Sequence, residues 1–476
     1  MFENQHNVAV SCFEEVRGRT SVIAFFLGMA IIAVSFFLGR SYLFYASFLV
    51  FSMFITLLWR NAPRPWIFLV SVTAAMPFAL SKYGYTCNLI FAFWFALFNM
   101  RHVFRLPRWF YVPTILVVFG LFTSSINWIS GDVPRSIMRQ LLFLYNLFLG
   151  PFLLLPSVYL GMKEGQDHGM KLQGLLFCLI IPSTIILLLA RFLGNPVNEW
   201  EASLHGDIIS HGFLIYELGK WYINFMRTEV GFILSALVCA SAAIIASGVK
   251  PFYRILSGAC FASNASLLIG AGSFGSGVAC FCGISAIFFA QSNRVSIRKR
   301  VLAMIAIACI LFLIYMFIPP DVKEYLAHRY EHRIIKSGMD QDRFILWGHA
   351  LRQLIANPEG VGWTGLVGNK VQTWIHNEYL TYAVSYGLFG GLGYISLCAG
   401  LLVSFYRRGR RLINDSSLHA IYLAGLGVLV SLLLNSMTDH ANENRWYFNV
   451  MWSLIWYCYF CSLATDTEVA QRGKAF

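Results

Sequence analysis

Charge is scarce in this chain. Of 476 residues only 12% are Asp, Glu, Lys or Arg, while 58% are hydrophobic and the mean hydropathy is +0.62. Soluble domains carry about 25% charged residues, so burial in one water-soluble core is excluded and a polytopic membrane protein is implied. Acids are the scarcer sign: 23 Asp and Glu face 36 Lys and Arg, for a net charge of +13. The basic residues stand in short clusters between apolar runs, not on one soluble domain, which excludes nucleic acid as the partner. A cleavable leader is not expected either. The first twenty residues are polar and run straight into an apolar stretch, so the first helix is expected to be retained. Nearly all of the eleven cysteines fall in apolar stretches and the two longest polar loops hold none, which argues against a disulfide framework or a cysteine zinc site. Neither a repeat of solenoid length nor a low-complexity tract is present.

Apolar windows of about 17 to 23 residues predict spans near 20–39, 41–58, 66–81, 86–100, 111–129, 139–160, 171–193, 229–248, 252–270, 276–291, 301–318, 379–404, 418–437 and 446–463. The expected fold class is therefore all-α and polytopic, with about 14 transmembrane helices. With a cytoplasmic N-terminus, seventeen basic residues fall in the inner turns: Arg60, Arg64, Arg101, Arg105, Arg108, Lys163, Lys171, Lys250, Arg254, Arg294, Arg298, Lys299, Arg300, Arg407, Arg408, Arg410 and Arg411. The short outer turns hold five: Arg40, Lys82, Arg135, Arg139 and Arg445. The positive-inside rule then places both termini in the cytoplasm.

Two outer loops are long, about 194–228 and 319–378, and loops of that length are commonly functional. DQDRFILWGHALRQLIA, residues 340–356, carries Ile345, Leu346, Ala350, Leu351, Leu354 and Ile355 as a helical stripe. Asp340 is its expected N-cap and the NPEG turn its stop. Residues 322–335 read as a second helix. The organisation is thus 1–318 with helices one to eleven and the 194–228 loop, 319–378 as a large outer helical cap, and 379–476 with the last three helices and a cytoplasmic tail.

Three patterns are weighed against plainer readings. HRYEH, residues 328–332, fits the H-x-x-E-H arrangement of some zinc peptidases. Arg329 and Arg333 add positive charge there and no third ligand follows, so a surface helix without metal is preferred. GVGWTG, residues 360–365, matches G-x-G-x-x-G but follows a helix and a proline turn, not a strand, and reads as a tight loop needing glycine freedom. Asp439, His440 and Glu443, between the last two spans, could form a metal site or a sugar contact, but a solvated turn is the preferred reading, since a connection there must be polar in any case.

The arginines of the outer face carry more. Arg227 opens a span, Arg329 and Arg333 lie one turn apart, and Arg343 sits in the first turn of the loop helix. Guanidinium groups clamp diphosphate through paired, charge-assisted hydrogen bonds, and headgroup anchoring is the alternative role. WIHNEYL, residues 374–380, sets His376 at the threshold of a span. A neutral imidazole accepts a proton from an attacking hydroxyl, and nearby arginines would disfavour the imidazolium.

DRFILWGHALRQLIANPEGVGW followed by HNEYLTYAVSYGLFGG resembles the signature region of the bacterial O-antigen polymerase and ligase superfamily. The matching positions are Arg343, Trp347, Pro358, Gly360, Gly362, His376, Asn377, Tyr379, Leu380, Gly387 and Gly390. FMRTEVGF, with Arg227 and Gly231, loosely resembles the family's arginine ahead of a span. In GAGSFGSG, by contrast, Phe274 follows Ser273 where relatives often have a serine-arginine pair. The resemblance implies a C-type glycosyltransferase fold and an undecaprenyl-diphosphate-linked glycan donor. It also implies no cofactor or metal, and catalysis on the periplasmic face of the bacterial inner membrane. It implies His376 as acceptor-activating base, Arg227, Arg343, Arg329 and Arg333 as diphosphate ligands, and Asn377 and Tyr379 as substrate contacts. A glycan or a lipid A core would be the acceptor, with membrane lipids and a polysaccharide chain-length regulator as partners.

Polymerisation of lipid-linked repeat units is the expected activity. An O-antigen ligase or an oligosaccharyltransferase would use the same chemistry on another acceptor. A lipid-linked oligosaccharide flippase or other transporter competes from a different class, as does a purely structural assembly protein. Transporters place binding charges near the bilayer midplane in broken, repeated helices. Here the predicted spans are nearly free of charge and the polar chemistry gathers in the outer loops.

Overall fold

The computed structural model describes residues 108–125, 168–193, 214–217, 220–223, 227–271, 273–291, 341–362, 375, 377–409, 415–438, 451–452 and 454–462, with scattered single positions between 46 and 320. The spans expected near 20–39, 66–81, 86–100 and 139–160, and the helix expected at 322–335, lie outside these residues; those near 41–58 and 301–318 are touched only at isolated positions.

The described part is helical apart from one hairpin. In chain order the helices are α1 (Tyr111–Ser125), α2 (His168–Gln173), α3 (Ile181–Leu193), α4 (Arg227–Ala246), α5 (Pro251–Ala271), α6 (Phe274–Ala290), α7 (Gln341–Ala356), α8 (Glu378–Gly409) and α9 (Ser416–Thr438). A final helical stretch covers 451–452 and 454–462. The hairpin lies between α3 and α4, where β1 (Leu214–Glu217) pairs antiparallel with β2 (Lys220–Ile223). A π-helical stretch, Gly174–Ile180, joins α2 to α3, and the Ile181 amide donates to Leu176 O, five residues back. Pro182 follows directly. It has no N–H and its ring crowds the carbonyl four residues earlier, a local conflict that a wider turn relieves.

Three described helices are long and apolar enough to cross a membrane: Pro251–Ile269, Glu378–Gly409 and Ser416–Met437. The bundle is built around α4, which packs against α5, α6 and α9. Its residues from Val230 to Ile244 are buried on every side, as expected of an all-apolar helix with helical neighbours all round. Lipid tails are as apolar as leucine, so such helices associate by close packing of small residues rather than by escape from water. A Cβ on Gly283 of α6 would stand 2.6 Å from both Cys239 Sγ of α4 and Gly427 O of α9.

The basic ends of α8 and α9 are fixed by polar and aromatic contacts. Asp415 Oδ1 accepts from the amides of Ser417 at 2.9 Å and Leu418 at 3.0 Å, capping α9. Arg408 lies 4.9 Å above the Tyr459 ring and donates to Ser462 Oγ at 3.2 Å, while Trp109 Nε1 donates to Tyr459 Oη at 3.1 Å.

The predicted loop helix is present as α7 and stops at Ala356, before Asn357 and Pro358. The turn that follows packs into a break in α8. Gly387 has φ 71° and ψ −175°, a conformation open in practice only to glycine. The break releases carbonyls from the helical ladder, and the turn satisfies them. Val361 N donates to Val384 O at 3.0 Å, Gly362 N to Ser385 O at 2.9 Å, and Leu388 N to Pro358 O at 2.9 Å. Gly360 and Gly362, with φ of 93° and 72°, give the turn its backbone path, and Gly360 lies directly against the Gly387 amide. Gly360 and Gly362 thus serve backbone conformation, as their position after a proline turn predicts, while Gly365 lies outside the described residues. On the far side, α8 meets α1 through Gly390 and Gly393; a Cβ on Gly393 would be 2.6 Å from Val117 Cγ2. Thr123 Oγ1 of α1 also reaches Glu359 O at 3.3 Å, closing a junction of α1, the turn and α8.

Candidate functional site

α8 begins where the motif ends. Asn377 is its N-cap: the side-chain Oδ1 accepts from Leu380 N at 3.1 Å, and the main-chain oxygen accepts from Thr381 N at 2.9 Å. The Asn377 amide also donates to Met437 O of α9 at 3.4 Å. Glu378 stands in the first turn, where the helix dipole favours an anion, yet it is 0% exposed and Ser436 Oγ of α9 donates to its Oε2. Tyr379 is half-buried, with its hydroxyl donating to Leu433 O at 3.0 Å. Behind it rises a tyrosine stack, Tyr394 on Tyr382 with ring centres 4.3 Å apart and Tyr379 tilted against Tyr394 at 5.5 Å.

His376 itself lies outside the described residues, but both of its neighbours are fixed. Trp347 of α7 donates its indole N–H to Ile375 O at 2.9 Å, and the Ile375 side chain is buried with Ala350 and Val384. On the other side Asn377 is held by α9 and by its own helix. Ile375 is thus tied to α7 and Asn377 to α9, and a buried carboxyl group follows at Glu378. Of the polar residues predicted at this threshold, Asn377 and Tyr379 are thus brought together with α9 through hydrogen bonds that also secure the fold.

A buried polar seam leads from Glu378 to α4. Next to Ser436 on α9, Asn435 Nδ2 donates to Ser235 Oγ of α4 at 3.0 Å, and Ser431 Oγ donates to the same oxygen at 2.9 Å. Two steps of four residues up α4 from Ser235 are Gly231 and Arg227, all on one helix face. At Gly231 the start of α6 closes in: a Cβ there would stand 2.6 Å from Ser276 Oγ and 2.8 Å from Ser273 Oγ, and Ser273 donates to Ser276 at 2.9 Å. FMRTEVGF and GAGSFGSG, about forty residues apart in the chain, therefore meet at one end of the bundle. Phe274, between Ser273 and Ser276, is largely exposed.

Arg227 is the first residue of α4 and Arg343 lies in the first turn of α7. Arg329, Arg333, the HRYEH pattern and the cluster from Asp439 to Glu443 lie outside the described residues. Among the described residues no three His, Cys, Asp or Glu side chains gather in a way that could hold a metal ion. Sequence reasoning singled out neither Glu378 nor the Ser235–Ser431–Asn435–Ser436 seam as functional. The available signal was an acid opening an apolar run, and one amide inside an otherwise apolar span. No family profile and no curated protein matches the chain.

Proposed function

We propose that this protein is an integral membrane glycosyltransferase that polymerises undecaprenyl-diphosphate-linked repeat units into O-antigen or a related exopolysaccharide. In this reading the chain has about fourteen spans, a C-type glycosyltransferase fold and both termini in the cytoplasm of a bacterial cell. Its active site faces the periplasm from the inner membrane. The observation that supports it best is the clamp around position 376: Trp347 holds the preceding carbonyl, Asn377 is tied to α9, and the polar seam behind them reaches the face of α4 that carries Arg227. A base that must meet a lipid-borne diphosphate needs to be fixed at headgroup depth, and its two chain neighbours, Ile375 and Asn377, are held by hydrogen bonds at a helix threshold.

The acceptor hydroxyl oxygen attacks the anomeric carbon of the donor glycan, and its proton passes to the His376 imidazole. The bond from that carbon to the diphosphate oxygen breaks with inversion, and undecaprenyl diphosphate leaves. Negative charge grows on the departing diphosphate, and Arg227, Arg343, Arg329 and Arg333 offset it by charge-assisted hydrogen bonds. Asn377 and Tyr379 line the approach to the base. Membrane lipids surround the site, and a polysaccharide chain-length regulator is the expected protein partner. The test is reconstitution: wild-type protein in nanodiscs, supplied with lipid-diphosphate-linked repeat units, should form a ladder of polymer with or without chelator. Transfer of a single finished chain to lipid A core would make it a ligase, and no glycosidic bond formation with any such donor would refute the reading.

A further inference from the structure

α7 is apolar over a wider arc than the protein covers. Its inner face, Trp347, Ala350 and Leu354, packs on the first part of α8. Beside that face runs a second stripe, Phe344, Leu351 and Ile355, all exposed, with Ile355 80% exposed. Gly348 lies in the same stripe by helical spacing, so nothing polar interrupts it. His349, Arg352 and Gln353 share the remaining face with Ile345, 55% exposed near the start of the helix, and Arg352 reaches Gly348 O at 3.4 Å and His349 Nδ1 at 3.3 Å.

The stripe is continuous with surface that already faces lipid. Below the break, α8 exposes Leu388, Leu392, Ile395, Leu402, Val403 and Tyr406, a helical stripe ending beside Arg407 and Arg408. From Leu388 to Gly409 this segment measures about 33 Å at ~1.5 Å per residue, which matches the ~30 Å hydrocarbon core of a bilayer. Gly387 therefore sits at the boundary of the leaflet opposite Arg407 and Arg408. Leu388 N is bonded to Pro358 O, three residues after Ile355, so the C-terminal end of α7 is fastened at that same boundary. Phe122 of α1, 71% exposed, stands beside Thr123, which bonds the same turn.

We infer that α7 is an interfacial helix whose C-terminal half, through Leu351 and Ile355, is immersed in the acyl chains of that leaflet, with Arg352 and His349 turned to the headgroups. This follows the general behaviour of amphipathic helices with one apolar and one basic face. It does not depend on the enzymatic reading. The bilayer thereby becomes part of what holds the Trp347–Ile375 clamp in place.

Photolabelling of the wild-type protein in nanodiscs tests it. One sample contains a phospholipid with a diazirine on its acyl chain, the other a water-soluble diazirine, and adducts on the 341–356 peptide are located by mass spectrometry. The expected result is lipid adducts on Ile355 and Leu351, several-fold above Gln353, with the water-soluble reagent giving the reverse order. Aqueous labelling of Ile355 and Leu351 at the level of Gln353 would overturn the inference. So would protection of the stripe from both reagents, which would mean that another protein surface covers it.

Discussion

The two parts of α8 are one helix in sequence and two different environments in space. From Glu378 to Tyr386 every residue is buried or half-buried, the start is capped by Asn377, α7 lies over it, and polar groups are bonded to α9. From Leu388 to Gly409 one face is exposed and apolar and the opposite face carries Gly390 and Gly393 against α1. The difference lies in how each is held. The lower part is held by close packing in a medium that offers no hydrophobic drive, the upper part by specific hydrogen bonds and a roof of loop structure. A glycine in a conformation closed to other residues separates them. The chemistry proposed for the protein belongs to the upper part, where geometry is fixed by bonds that single substitutions can remove.

The largest break in this comparison should come from Gly387→Ala. The residue would take a backbone conformation costing ~1–3 kcal/mol, and its Cβ would be driven into the carbonyls of Pro358 and Glu359. The expected outcome is loss of the turn's docking and a total destabilisation of ~3 kcal/mol or more. It should be read as a clear drop in the temperature at which the detergent-solubilised protein aggregates. Ser436→Ala comes next. It removes one donor from a fully buried carboxyl group, with an expected cost of ~1–3 kcal/mol; Ser436→Thr should restore most of it. Asn377→Ala removes the cap and should cost ~1 kcal/mol or more, and Asn377→Asp should restore only part of it, because a carboxylate still accepts from Leu380 N but cannot donate to Met437 O. Equilibrium unfolding in mixed micelles measures both pairs.

The smallest effect sharpens the contrast from the other side. Leu392→Ala in the lower part should change stability by no more than ~0.5 kcal/mol, because its side chain leaves one apolar medium for another. Leu397→Ala, one and a half turns on and fully buried, should cost ~2–5 kcal/mol. Equal effects at the two positions would mean that Leu392 does not face lipid.

Much of this architecture was legible as run length. α4, α5, α6, α8 and α9 fall where apolar windows place them, and α7 was visible from the spacing of Ala350, Leu351, Leu354 and Ile355 and from the proline turn after it. The break in α8 was not. YGLFGGLGY offers four glycines, and only the arrival of the 357–362 turn selects Gly387 as the one with positive φ. Glu378 stands two residues after His376 in the same motif, but its contact with Ser436 lies 58 residues away in the chain. The meeting of Gly231 with Ser273 and Ser276 is likewise a matter of helix packing that no local spacing encodes. Asn377 and Tyr379 were read from resemblance as substrate contacts; their hydrogen bonds to Met437 and Leu433 give them structural work that the motif alone did not reveal.

The most direct test of the central claim is glycan transfer by His376→Ala beside wild type, in the same nanodiscs and with the same lipid-diphosphate-linked donor, after showing that the two unfold at the same temperature. The account predicts a folded variant that forms no detectable polymer. A folded variant that polymerises at the wild-type rate would contradict it and remove His376 from the chemistry.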